Sequence, residues 1–229
     1  MNLTLIIPAK NEPESLPKVI EELKPYNFKI TIVLHRTDIP TIDSIKKYDV
    51  EIVYQDSKGY GDALIKGIKN CKTELFCIFN ADGSFDPKEL RPMLNLLDSN
   101  KLDFVFGSRY QKNSGSKDDT IVTLIGNFFF TLIGKIFFKS PITDILYTYV
   151  LGKTEYANNL FLSQKNFSFC VELPIKALRN NMKIESINCH ERKRIGGVKK
   201  VNAIKDGLII LIYMIKLFFL KNNANDKKK

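Results

Sequence analysis

The segment Glu74-Leu75-Phe76-Cys77-Ile78-Phe79-Asn80-Ala81-Asp82-Gly83-Ser84-Phe85-Asp86-Pro87 runs from a bulky apolar stretch straight into small and acidic residues. Five consecutive apolar side chains predict a buried strand over residues 74–79. Pro87 suits the first turn of a helix, and the pattern predicts one over 87–97. A strand that ends in a polar cluster and hands over to a helix is the building unit of a parallel sheet.

The same unit recurs on both sides of this segment. Strands are expected at 3–7, 29–34, 50–54 and 102–106, and helices at 15–23 and 61–70. Short apolar strands alternating with helices imply an α/β fold, with a mostly parallel central sheet flanked by helices. Ligands bind such sheets beyond the C-terminal strand ends. Those ends carry Pro8-Ala9-Lys10-Asn11-Glu12, His35-Arg36-Thr37-Asp38, Gln55-Asp56, Asn80-Ala81-Asp82 and Gly107-Ser108-Arg109.

Past residue 110 the pattern loosens. Residues 111–120 read as a flexible polar loop, 166–179 as a strand edge entering a helix, and 182–189 as a last strand. Two apolar helices are expected, at 121–138 and 201–220. The first contains Asn127 and Lys135 and the second Lys216, so neither is the uninterrupted apolar run of about 20 residues that a membrane span wants. A surface-lying arrangement is favoured over core packing and over crossing. It would set Lys135, Lys139, Lys216 and Lys221 against anionic head groups. The expected organisation is a catalytic domain over 1–207, divided at residue 110, followed by an apolar helix end and basic tail over 208–229.

The 229 residues carry 35 Lys and Arg against 25 Asp and Glu, a net charge of +10. Residues 1–110 hold 15 basic and 16 acidic side chains, net −1, whereas 111–229 hold 20 and 9, net +11. The excess belongs to one half and points to a phosphate-bearing substrate or an anionic membrane surface. Nucleic acid is set aside: there is no zinc-finger spacing and no RNA-binding signature, and Trp is absent. The four cysteines form no close metal-ligand pair, which fits buried thiols in a reducing compartment. The opening has neither a basic leader nor a cleavage site, so the expected location is the cytoplasm, or peripherally the cytoplasmic face of a membrane.

Asp82 at its strand end can hold Mg²⁺ or Mn²⁺ bridging a diphosphate, because hard cations take oxygen ligands and keep substrate phosphates in their shell. Asn80 offers a neutral oxygen, so Asp82 carries the charge. Lys58-Gly59-Tyr60-Gly61 opens a helix with two glycines and could bring backbone N–H groups to a phosphate. Arg109 can pair with phosphate bidentately. Glu191 to Lys200 joins five basic residues to Gly196-Gly197, the composition of a clamp over a polyanion.

In this order the pieces resemble family 2 glycosyltransferases with the GT-A fold, and within them the dolichyl-phosphate mannosyltransferase-like branch that acts on polyprenyl phosphates. Pro8 to Glu12 is similar to the family's opening motif at the nucleotide pocket, Asn80 to Asp82 to its Asp-Xaa-Asp metal motif, and Gly107 to Tyr110 to its phosphate-side arginine. Asp144 resembles the acidic residue before the acceptor-site helix, and Glu191 to Lys200 the closing loop. The departures are Asn80 for the first Asp, His35 to Asp38 in place of the usual Asp-rich run, and Ile145 to Tyr149 after Asp144.

The resemblance implies an inverting transfer of a hexose from a GDP- or UDP-linked donor to an acceptor, foremost a polyprenyl phosphate. Pro8, Ala9, Asn11, Glu12, Asp38, Asp56, Lys58, Gly59, Asn80, Ala81, Asp82, Arg192, Arg194 and Lys199 would line the donor site. Arg109 would balance phosphate charge, and Asp144, with Glu172 in reserve, would be the base for a hydroxyl acceptor. Two alternatives stand beside it: transfer to a glycan or small-molecule hydroxyl, and an inactive nucleotide-sugar-binding protein. A nucleotidyltransferase would need a glycine-rich opening that the first strand lacks.

Overall fold

A computed structural model describes residues 2–197 and 201–220. The first half is a run of β1 (Leu3–Pro8), α1 (Leu16–Leu23), β2 (Lys29–Leu34), α2 (Ile39–Ile45), β3 (Glu51–Tyr54), α3 (Tyr60–Asn70), β4 (Leu75–Ile78), α4 (Leu90–Ser99) and β5 (Phe104–Ser108). The second half holds β6 (Gly115–Ser116), α5 (Ile121–Phe138), β7 (Val150–Lys153), α6 (Thr154–Asn159), α7 (Phe169–Arg179), β8 (Ile184–Asn188), β9 (His190–Glu191) and α8 (Ala203–Phe219). The main sheet has the order β3-β2-β1-β4-β7-β5-β8. Its strands pair in parallel, except at β7, which lies antiparallel between β4 and β5. That inserted strand was not among those expected.

Both faces of the sheet are covered because its strands are apolar on both sides. Leu3, Leu5 and Ile7 of β1 join one core with Leu16, Val19 and Ile20 of α1 and with Leu90, Met93 and Leu94 of α4. Ile6 points the other way, into a second core with Leu64 and Ile68 of α3 and Phe169 and Leu173 of α7. This is the period-2 alternation of a strand meeting the 3.6 period of helices. The helix spacing is clear in α1, whose buried residues Leu16, Val19, Ile20 and Leu23 form one stripe.

A third core lies off the sheet, where Phe130 of α5, Val171 and Ile175 of α7 and Ile210, Met214 and Leu217 of α8 meet. Phe137 and Phe218 meet edge-on at 5.6 Å between ring centres, and Gly207 lies beside Phe130. Early residues of α8 thus meet the middle of α5 and late ones its end, so the two helices run in the same direction.

Two expectations are corrected. Residues 111–120 are not a free loop: Gly115 and Ser116 pair with His190 and Glu191 as a two-stranded ribbon. Residues 166–179 contain no strand; Ser168 leads directly into α7. The four cysteines are unpaired, and Cys77, Cys170 and Cys189 are buried.

Candidate active site

The parallel strands end along one edge, and the expected residues separate there into those that stay available and those the fold consumes. At one corner, Asn11 adopts a left-handed φ of 53°, which turns its N–H onto Asp38 Oδ2 at 2.7 Å. Glu12 is held alongside by its own N–H donating to Thr41 Oγ1 at 2.9 Å and by the Ser15 hydroxyl donating to its carboxylate at 2.6 Å. Asp38 is only 7% exposed, yet its Oδ1 has no hydrogen-bond partner. A buried acceptor without a donor is costly, and here it leaves one carboxylate oxygen for a ligand N–H or O–H. Ala9 and Ala81 pack into the sheet core, and Pro8 pairs with Val33 in the β1–β2 ladder.

At the centre, Asp82 Oδ1 accepts from the Ser84 N–H at 3.0 Å. Its Oδ2 faces Arg194 Nη1 at 3.7 Å. Asn80 is turned inward, its amide donating to Ser84 Oγ at 3.3 Å while its oxygen lies 3.5 Å from the Tyr60 hydroxyl. Tyr60 bonds Thr148 at 2.7 Å, and burial pushes its phenol pKa up. Among the described residues no three His, Cys, Asp or Glu side chains cluster as metal ligands. A cation at Asp82 would thus take most of its oxygens from substrate phosphates, which is the chemistry expected of Mg²⁺ or Mn²⁺. Asp82, with one oxygen free of hydrogen bonds among the described residues, fits that role.

The segment after β9 lies across both places. The Ile195 N–H donates to the Asp82 carbonyl at 2.7 Å, and the Arg192 N–H to the Ser84 carbonyl at 2.8 Å. A Cβ on Gly197 would come within 2.6 Å of Glu12 Oε2, so the backbone there touches the other corner. Arg194 donates to both oxygens of Asp118, at 3.1 and 2.6 Å, and this pairing first, with Asp82 and Glu12 nearby, raises its pKa. Lys199 and Lys221 lie outside the described residues.

Several expected site residues have other partners. Arg109 is 9% exposed and Asp144 is fully buried. The guanidinium donates to Asp144 through Nε at 2.7 Å and Nη2 at 3.0 Å, and to Glu191 through Nη1 at 3.2 Å. Asp119 is a third carboxylate partner at 3.4 Å, and the Tyr147 ring centre lies 4.5 Å away. Burial opposes the arginine's charge, but the carboxylates outweigh it and raise its pKa. Burial also raises the pKa of Glu191, against the pull of Arg109. Arg109 is a neutralised hub in this geometry, not an open phosphate ligand, and Asp144 is closed off from solvent.

Glu172 is likewise fully buried. It accepts from the N–H groups of Ser163 and Gln164 at 3.0 and 2.8 Å, from Tyr213 at 2.9 Å, and from Lys176 at 2.8 Å. It ties α7 to α8 and to the preceding loop, and no geometry supports it as a base. Arg192 braces α1: it pairs with Glu22 at 2.9 Å and donates to the carbonyls of Gly83 and Phe85. Asp56 is exposed and paired with Lys66 at 2.7 Å.

The glycines before α3 have a different use from the one expected. A Cβ on Gly59 or Gly61 would meet the carbonyl oxygens of Lys165 and Gln164 at 2.0 Å, and the Asp62 N–H donates to the Lys165 carbonyl at 3.1 Å. The 164–166 backbone thus lies directly against the two glycines and takes the Asp62 N–H, while Lys58 beside them is exposed. The residues missed in sequence are Asp118 and Asp119, just before the Thr120 cap of α5. An acidic pair standing in the strongly basic half of the chain was the one available signal.

The site is thus a mostly parallel α/β sheet with a carboxylate at its central strand end and a basic segment folded over it. The solved structures agree on the fold: glucosyl-3-phosphoglycerate synthase of Mycobacterium tuberculosis, in complex with Mn²⁺, uridine-diphosphate and glucosyl-3-phosphoglycerate, superposes with a TM-score of 0.75 at 11% identity, covering 97% of this chain and 81% of that one. The family model for glycosyl transferase family 2 matches residues 4–161, and the chain belongs to that family. An uncharacterized glycosyltransferase of Mycobacterium bovis is 24% identical over 92% of this chain and 94% of its own. The UDP-N-acetylglucosamine–dolichyl-phosphate N-acetylglucosaminyltransferase of Methanococcus voltae is 23% identical over 80% and 82%, in the branch that the motifs resemble.

Proposed function

We propose that the protein transfers a hexose from a nucleotide-diphosphate sugar to a polyprenyl phosphate, with inversion at the anomeric carbon. The observation that carries the reading is Asp82, at the central strand end with Oδ2 facing Arg194. Asp38, with an unpartnered buried oxygen, would take a donor hydrogen of the base or ribose. Asp82 would hold Mg²⁺ or Mn²⁺, which when bound supplies positive charge to the diphosphate leaving group. Arg194 lies where it can turn from Asp118 and Asp82 onto the same phosphates, adding charge as the glycosidic bond breaks.

Two buried carboxylates support this choice of acceptor. A hydroxyl nucleophile needs a base, and both carboxylates named for that role, Asp144 and Glu172, are fully buried and bonded. A phosphate oxygen is already anionic and attacks the anomeric carbon without proton transfer. The dolichyl-phosphate relative supports the same acceptor class.

The test measures sugar transfer from a panel of UDP- and GDP-hexoses with Mn²⁺, to a short-chain polyprenyl phosphate and to free polyprenol. Transfer to the phosphate alone is expected, with Asp82→Ala reducing turnover roughly 10²-fold. Transfer to hydroxyl acceptors at equal rate would overturn the acceptor reading. Saturable donor binding without turnover on any acceptor would leave only a binding protein.

A further inference from the structure

A string of polar side chains behind Asp82 joins three separate segments: the start of α3, the end of β4 and the residues just before β7. Tyr60 stacks on Phe167, with ring centres 5.2 Å apart. Its hydroxyl bonds Thr148 Oγ1 at 2.7 Å and lies 3.5 Å from Asn80 Oδ1. Asn80 Nδ2 in turn donates to Ser84 Oγ at 3.3 Å, and the Ser84 N–H donates to Asp82 Oδ1 at 3.0 Å. Thr148 and Ser84 are buried, and the Ser84 carbonyl is held from the other side by the Arg192 N–H. Burial keeps the proton on the Tyr60 phenol. With the Thr148 hydroxyl donating to it, the phenol directs that proton to the Asn80 oxygen and leaves the amide N–H₂ for Ser84. The contacts at 3.3 and 3.5 Å are individually weak, but together they select one orientation of the amide.

We infer that Asn80 is a positioning residue and not a metal ligand: oriented by Tyr60 and Thr148, it holds Ser84, whose N–H fixes Asp82 Oδ1 and leaves Oδ2 to a cation. The inference rests on the reading of Asp82 as the residue that holds Mg²⁺ or Mn²⁺. An amide suits this place because its two ends differ. The oxygen accepts from the phenol while the N–H₂ donates to the Ser84 hydroxyl, whereas an ionised carboxylate can only accept. A carboxylate at position 80 would also set a second negative charge beside Asp82, in a half-buried place where the described neighbours, Tyr60 and Ser84, are neutral. The asparagine that departs from the Asp-Xaa-Asp pattern is therefore matched by its surroundings in this chain. Its effect on the cation passes through Ser84, so Tyr60 and Thr148 share it.

The experiment measures Mn²⁺ binding to the full-length protein by electron paramagnetic resonance, with UDP and with GDP and without any acceptor. Asp82→Ala should abolish binding. Asn80→Ala should weaken it only about threefold to tenfold, the worth of one or two hydrogen bonds. Tyr60→Phe, which keeps the ring on Phe167, and Thr148→Val should weaken it to a similar degree, while Thr148→Ser should bind as the wild type does. Tyr60→Phe combined with Asn80→Ala should be no worse than the weaker-binding single variant, because both act on one pathway. Asn80→Asp should bring no gain. Loss of all Mn²⁺ binding in Asn80→Ala, with Tyr60→Phe unchanged, would make Asn80 a ligand and overturn the inference. Binding tightened about tenfold by Asn80→Asp would overturn it as well. Sugar transfer to a short-chain polyprenyl phosphate, assayed in parallel, reports separately on the proposed reaction.

Discussion

Asp144→Asn separates two roles that a carboxylate before an acceptor helix can have. Asp144 has no exposed surface and accepts three bonds from Arg109, through Nε at 2.7 Å, Nη2 at 3.0 Å and the backbone N–H at 3.2 Å. Asn keeps one acceptor oxygen and turns an amide N–H₂ toward a guanidinium that also donates. At least one short bond is lost, and a donor then faces a donor. Removing one partner of a buried ion pair costs about 3–5 kcal/mol. Glu191 and Asp119 remain beside Arg109 at 3.2 and 3.4 Å, which places the expected loss near the lower end, ~3 kcal/mol. For a chain of this size that is a fall in melting temperature of roughly 6–12 °C, read by calorimetry or urea unfolding. Turnover of the protein that remains folded, measured well below its melting point, should fall only modestly. A variant with the wild-type melting temperature and abolished turnover would overturn this assignment and make Asp144 a base.

Arg192→Ala and Arg194→Ala should part in the same way. Loss of Arg192 removes the pairing with Glu22 and the brace on the Gly83 and Phe85 carbonyls, lowering stability by about 1–2 kcal/mol. Loss of Arg194 should leave stability nearly unchanged and raise the donor KM about tenfold or more, measured by initial rates. Glu172 supplies a pH dependence. Burial raises its pKa, but Lys176 and the Gln164 and Ser163 N–H groups outweigh this and hold it below the ordinary 4.5. Its contribution is therefore complete above about pH 4.5 and is lost as pH falls below it. Urea unfolding at pH 5 and pH 3.5 should show a smaller acid loss for Glu172→Gln than for wild type; equal losses would count against the assignment. Glu191, whose pKa burial raises, contributes with the opposite sign and is common to both proteins.

Legibility in the sequence divides along one line. The parallel strands and their helices were readable because their signals are local: β2 falls on residues 29–34 as expected, and α5 on 121–138. β7 was not, because Val150-Leu151-Gly152-Lys153 is short and its place between β4 and β5 depends on pairing partners distant in the chain. The same limit applies to the site. Asp82 was visible from its position after a strand. That Arg109 is consumed by Asp144 and Glu191, or that Gly59 and Gly61 receive the 164–166 backbone, was not.

Residue pattern alone was enough for the α/β layering, the strand end at which Asp82 stands, and two helices too apolar for water with basic residues along them. Periodicity and composition act over a few residues, and hydrophobic burial follows them directly. Which charges are free emerged only once the chain was folded. Folding set Arg194 against Asp82, closed Asp144 and Glu172 inside hydrogen-bonded networks, and left one stripe each of α5 and α8 uncovered. Neutralisation of a charge and coverage of a helix face are through-space events, set by whichever partner the folded chain brings within a few ångströms.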